Sequence, residues 1–172
     1  AFSGDLIKKS TSNEECYIPI VPWKRMLFTG KMPQIKDFEK IPMTIIDNGV
    51  YFHPEKSNLL VGRADPQQPF GYDYKPEPQY YEEQMNYYMS ARIPGMDHCR
   101  IISNQSMWGG LYEHNTEDKN GIIGFHSDLE NLFIATGFSG HGVMEAPGIG
   151  ISAAEMILFK EYKTIPDVKD LA

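Results

Sequence analysis

Through residues 17–115 the apolar side chains fall in short runs rich in β-branched and aromatic residues, the pattern of strands. Residues 17–29 form the first such run, and Pro19 and Pro22 confine themselves to a strand's start or to an edge. Met43-Thr44-Ile45-Ile46 and Val50-Tyr51-Phe52-His53 flank Asp47-Asn48-Gly49. Asn-Gly supplies the positive φ that a tight hairpin turn requires. Residues 59–64 predict a third strand, with Leu59, Val61 and Arg63 on one face because side chains alternate. Further strands are predicted over 100–112, at Ile122-Ile123 and over 132–135. The period changes twice. Tyr81, Met85, Tyr88 and Met89 recur at helical spacing, and Ile93-Pro94-Gly95 ends that helix. A second helix is predicted over 147–162, with Pro147 in its first turn and Ile151, Ala154, Ile157 and Leu158 on one face. Residues 1–16 read as a polar surface lead-in, and 65–78, with four prolines, as a long loop. The sum is an α+β chain with a mainly antiparallel sheet in residues 17–115.

Composition narrows the partners. The 172 residues carry 16 Lys plus Arg against 23 Asp plus Glu, a net charge of −7 with no basic block, so nucleic acid is not expected as a partner. No uninterrupted apolar run reaches about 18 residues, so no transmembrane segment is expected. Cys16 and Cys99 lie far apart and fit no metal-ligand spacing, which suits a reducing compartment. The five histidines make no close pair, so no metal site is expected. Asn104-Gln105-Ser106 is a glycosylation sequon, discounted because it falls within a predicted strand.

The densest chemical signal is Gly137-Phe138-Ser139-Gly140-His141-Gly142, followed by Val143 and Met144, between an apolar strand and a helix. Three glycines in six residues let backbone approach a ligand closely. A helix N-terminus beyond them offers N–H groups and a positive dipole end. The segment matches neither G-x-G-x-x-G nor the G-x-S-x-G nucleophile elbow. On pattern alone, a ligand loop and a tight packing turn remain equally open.

Five blocks in order resemble the C-terminal part of the flavin-dependent oxidoreductases of the D-amino-acid oxidase and sarcosine oxidase superfamily. They are Trp108-Gly109-Gly110-Leu111-Tyr112, Thr116-Glu117-Asp118, Gly121-Ile122-Ile123-Gly124, the run from Ala135-Thr136 through Gly142, and Ala146-Pro147-Gly148-Ile149-Gly150. Gly62-Arg63 and His114-Asn115-Thr116 are most similar to the mitochondrial branch of that family which supports assembly of respiratory complex I.

The resemblance implies that residues 1–115 are part of a substrate-binding domain and 116–172 the C-terminal return segment of an FAD-binding domain. The N-terminal Rossmann half would lie outside this chain, with Ala1-Phe2-Ser3 just past one of its strands. It implies a mitochondrial location, complex I subunits as partners, and FAD as cofactor in the full-length protein, with Gly137, Phe138, Ser139, Gly140, His141, Gly142, Val143 and Met144 against the ring. Tyr51, Phe52, Arg63 and Tyr112 are the substrate-side candidates. No cysteine lies near Leu111, where relatives attach flavin covalently, so FAD is expected to be non-covalent. Met144 stands where some relatives carry Lys, and the carboxylate-binding Arg of others falls near Tyr112 or Glu113 and is missing. Arg63 would replace it if its face of the strand looks toward the flavin. The alternative activity is a dehydrogenase that oxidises a C–H next to nitrogen by hydride transfer to flavin. The isolated piece is expected to fold without cofactor, to be inactive, and to pack its last helix on its own sheet or in a homodimer.

Overall fold

The computed structural model describes residues 2–11, 16–103 and 105–171, so Asn104 of the sequon lies outside the described residues. The chain divides into two compact units, Ala1–Trp23 with Tyr112–Ala172, and Lys24–Leu111. Residues 1–23 thus cluster with the C-terminal third.

Unit Lys24–Leu111 holds most of a five-stranded sheet in the order β2-β3-β4-β1-β5. The strands are β1 (Ile20–Lys31), β2 (Thr44–Ile45), β3 (Val50–Glu55), β4 (Asn58–Arg63) and β5 (Met107–Asn115). β2–β3, β3–β4 and β1–β4 pair antiparallel, as the alternating pattern predicts. At the 47–49 turn Gly49 adopts φ 78°, the left-handed value that Asn-Gly signalled. β5 begins at Met107 rather than at 100. Thr29 of β1 bonds both Ile102, which donates its N–H at 3.2 Å, and Ser106, whose carbonyl accepts at 2.6 Å.

One face of this sheet is closed by α2 (Pro78–Tyr80), a π-helical segment (Tyr81–Asn86) and α3 (Tyr87–Arg92), which follow one another without a break. Met26, Phe28, Val50, Phe52, Leu59 and Val61 meet Tyr81, Met85 and Met89 in the core. Tyr88, expected on that face, is exposed instead. The i→i+5 bonding of the π segment shifts the turn and keeps Tyr81, Met85 and Met89 in line while Tyr88 moves to the flank.

The long 65–78 loop is strapped to β1. Lys24, 3% exposed, donates to Asp73 at 2.6 Å, to Glu77 and to the Lys75 carbonyl at 3.3 Å. Burial opposes the charge on Lys24, but the hydrogen bonds to Asp73 and Glu77 raise its pKa above the ordinary lysine value. The Lys24 hydrogen bond, then the Lys75 N–H, hold Asp73 below the usual carboxylate range. The Asp73 contribution is thus present above its unfolded pKa and lost as pH falls through the folded one, below about pH 4. The Lys24 contribution is complete below its unfolded pKa and lost only in strong alkali. Lys24→Met is expected to raise chymotryptic cleavage at Phe70, Tyr72 and Tyr74 about tenfold or more at pH 7, the order of magnitude of losing one charge-assisted bond. Unchanged cleavage on a time course would show that the loop is held elsewhere.

Unit Ala1–Trp23 with Tyr112–Ala172 contains α1 (Ser3–Thr11), the antiparallel pair β6 (Ile122–Phe125) and β7 (Phe133–Thr136), and α4 (Gly142–Phe159). The polar lead-in is therefore partly helical. Ile7 and Cys16 bury themselves with Ile18 and Ile20 against Ile122, Leu129, Leu132 and Ile134. α1 passes so near β1 that a Cβ on Gly4 would lie 2.5 Å from the Ile20 carbonyl oxygen.

α4 begins five residues earlier than Pro147 predicts. The missing Pro147 N–H would face the Val143 carbonyl, and the loss of one bond in the second turn does not stop the helix. The stop signals lie upstream, at Gly137, Ser139 and Gly140, all with positive φ. Of its apolar face, Ile151, Ala154, Ile157 and Leu158 are all exposed, so this face does not pack on the chain's own sheet. Its 18 residues have a mean hydropathy of 1.3, long and apolar enough to cross a membrane by length and composition. Glu145 and Glu155 break the run, which is why the count of uninterrupted apolar residues passed over it.

Candidate functional site

The Gly-rich loop is shaped by β5. Gly137 (φ 78°), Ser139 (φ 49°) and Gly140 (φ 100°) turn the chain from β7 into α4. His114 and Phe138 form an antiparallel bridge. The Ser139 N–H donates to the Glu113 carbonyl at 3.0 Å, and the Asn115 N–H donates to Ser139 Oγ at 3.1 Å. Gly140 lies against the Tyr112 ring. A Cβ there would stand 2.8 Å from Tyr112 Cζ and 2.9 Å from Cδ2, with Cε2 nearer still. Tyr112 is thus a floor for the loop, and the position admits no side chain. His114 in turn stacks on Trp23, ring centroids 4.4 Å apart.

His141 is the residue before α4. Its carbonyl accepts the Met144 and Glu145 N–H groups at 3.1 and 3.3 Å, and its own side chain makes no cap. The first-turn N–H groups of Gly142 and Val143 therefore open at the helix end. Val143 is 93% exposed and Met144 73%. Two large apolar side chains so bare at a helix start mark a surface built to be covered. Beside them lies a cavity of about 690 Å³, lined by Lys119, Phe138, His141, Met144, Ile149 and Ile165 among others.

The Thr-Glu-Asp block builds a tight turn next to the loop. Asn115 Nδ2 donates to Asp118 Oδ1 at 3.0 Å and to the Asn120 carbonyl at 2.7 Å, while its Oδ1 accepts the Glu117 N–H at 3.0 Å. Asn120 N–H donates to Asp118 Oδ1 at 2.9 Å, and the bonds from Asn120 hold Asp118 below the usual carboxylate range. The sequence carries Asn115 and Asp118 within family-like blocks, and the bonds they make in this turn come from the fold.

The four substrate-side candidates separate. Tyr112 joins the loop in one unit, whereas Tyr51, Phe52 and Arg63 belong to the other. Phe52 is fully buried and stacks on Phe38, centroids 6.2 Å apart, so it is a core residue that touches no substrate. Tyr51, on the opposite face of β3, is half-buried over Gly62, where a Cβ would run into the Tyr51 ring. Arg63 does share the face of Leu59 and Val61, but that is the face closed by the helices. It donates to the Asn48 carbonyl at 2.9 Å, to Gln84 Oε1 at 3.0 Å and to Tyr80 OH at 3.2 Å. Burial pushes the Tyr80 phenol up to about 12 despite the Arg63 charge, so it stays neutral and accepts. Arg63 ties the 47–49 turn to the helix.

Comparison with known proteins agrees with these blocks. Residues 1–156 match the family model described as "DAO: FAD dependent oxidoreductase". FAD-dependent oxidoreductase domain-containing protein 1 of Xenopus laevis is 31% identical over 160 residues, which is 91% of this chain and 31% of that protein. The chain thus spans about a third of the length of that curated relative. Among solved structures, L-proline dehydrogenase from P. horikoshii superimposes with a TM-score of 0.76 at 30% identity, covering 94% of this chain and 41% of that one. Glycine oxidase from Geobacillus kaustophilus gives 0.74 at 17% identity over 98% of this chain and 43% of its own, a likeness of fold. These matches make the chain a member of the DAO family of FAD-dependent oxidoreductases.

Proposed function

We propose that the 137–144 loop and the start of α4 hold the ring end of FAD, and that the protein oxidises a C–H bond next to nitrogen. The observation that carries this is the exposed backbone at Gly140 beside an open helix N-terminus with bare Val143 and Met144 side chains. Bound FAD would accept the hydride. The chain's own part is electrostatic. The Gly142 and Val143 N–H groups and the positive helix end favour negative charge on an electron-rich ring edge. Met144 offers an apolar contact, and neither it nor Glu113 could pair with a substrate carboxylate. A secondary or tertiary amine without a tightly held carboxylate fits best. The dinucleotide end of FAD would need a Rossmann half outside these residues, and the exposed Ile151, Ile157 and Leu158 side of α4 is suited to pack against it.

A second reading is service to respiratory complex I assembly in the mitochondrion, with its subunits as partners and the flavin in a structural or redox-sensing role. It draws on the similarity to FAD-dependent oxidoreductase domain-containing protein 1 and on the missing carboxylate anchors. A screen of purified holoprotein with secondary and tertiary amines, each tried with and without a carboxylate, separates the two by bleaching of the flavin absorbance. Bleaching by a secondary amine is the expected result. Bound flavin with no bleaching across the screen removes the oxidase reading and leaves the second. Protein that purifies without flavin and takes up none removes both.

A further inference from the structure

We propose that Glu113 is a positioning residue that fixes the 136–139 backbone so that the loop meets the flavin ring. The inference rests on the FAD reading of that loop. Glu113 lies on β5 and, by strand alternation, points away from Tyr112 and His114. Its carboxylate accepts Thr136 Oγ1 at 2.7 Å, Ser3 Oγ at 3.2 Å and the N–H of Gly137. Its carbonyl accepts the Ser139 N–H at 3.0 Å. A single residue thus grips the loop on both sides of the left-handed Gly137, and through Ser3 it also engages the first residue of α1. Ser3 Oγ and Thr136 Oγ1 are 2.8 Å apart, which closes a three-membered polar cluster, and Thr136 is buried.

The residue type matters. The donors to this side chain include two hydroxyls and one N–H. An ionised carboxylate only accepts and has lone pairs for all of them. An amide of the same shape offers one oxygen, and its NH₂ would face a donor. Charge-assisted bonds are also the stronger kind. A loop that must place bare backbone against a ligand needs this rigidity, because small displacements of a binding group are costly.

The test measures FAD dissociation constants, the flavin absorption envelope and thermal unfolding on the holoprotein and its variants. Glu113→Gln and Thr136→Val are expected to weaken FAD binding about tenfold, the scale of one lost hydrogen bond to a charged group. Each should also shift the flavin envelope. Thr136→Ser keeps the hydroxyl and is expected to restore parental affinity and spectrum. The double variant Glu113→Gln/Thr136→Val should bind no worse than Glu113→Gln alone, since both break one network. Parental affinity and spectrum in both single variants would overturn the proposal, as would a lowered unfolding temperature with FAD binding untouched. Should Glu113→Gln fail to fold, the Thr136→Val and Thr136→Ser pair decides. A parent protein that binds no FAD would remove the FAD reading itself, and this inference with it.

Discussion

Gly140→Val is expected to leave the holoprotein with less than about a tenth of the parental FAD. Two costs add. Gly140 sits at φ 100°, a conformation that a β-branched residue reaches only with strain of about 1–3 kcal/mol. Its Cβ would also overlap the Tyr112 ring, and such overpacking costs about 1–3 kcal/mol more. Each 1.4 kcal/mol is about a factor of ten in binding if the loop yields instead of the fold. Tyr112 is itself on β5, so relief by moving the ring would disturb the strand that positions Glu113 and Asn115. The ratio of flavin to protein absorbance after purification, read beside the unfolding temperature, is the measurement. Parental flavin content at parental stability would show that the loop does not touch the cofactor.

Phe52→Ala carries the largest expected loss of stability. Phe52 is fully buried, lies opposite Thr44 on β2 and Val61 on β4, and stacks on Phe38. Truncation of a core phenylalanine removes transfer free energy and leaves a cavity, about 3–5 kcal/mol together. Its neighbour gives the contrast. Tyr51→Phe keeps the ring over Gly62 and opens no comparable cavity, so it is expected to cost much less than Phe52→Ala. Urea unfolding of both variants tests the pair, and a Phe52→Ala loss under about 1 kcal/mol would return Phe52 to the candidate surface.

Residues 52 and 51 show where sequence stops. Alternation places them on opposite faces of β3 without saying which face is closed. The Tyr81–Met85–Met89 stripe closes one face, and that contact is set by tertiary packing between segments some thirty residues apart in the chain. Arg63 follows the same logic. Its face was legible, but its partners Asn48, Tyr80 and Gln84 come from a turn and a helix that only the fold brings to it.

By itself the sequence determined the α+β character, the 47–49 hairpin, the two helices and the Gly-rich loop, because each rests on local stereochemistry or on a short hydrophobic period. The family was legible too, since its blocks are runs of neighbouring residues. Tertiary structure alone decided the grouping of residues 1–23 with 112–172, the helix over Ser3–Thr11 and the Glu113–Ser3–Thr136 cluster. It also moved the start of α4 from Pro147 back to Gly142. The helix start depends on where positive φ angles are tolerated, and those at 137–140 are held by hydrogen bonds and ring contacts from β5. Ser3 and Thr136 are 133 residues apart, and no local propensity encodes their meeting at one carboxylate. Such contacts form only after burial of Ile7, Cys16, Ile18 and Ile20 against Ile122 and Ile134 has brought the segments together, because a non-directional driving force sets the neighbourhood and directional polar groups then select the geometry within it.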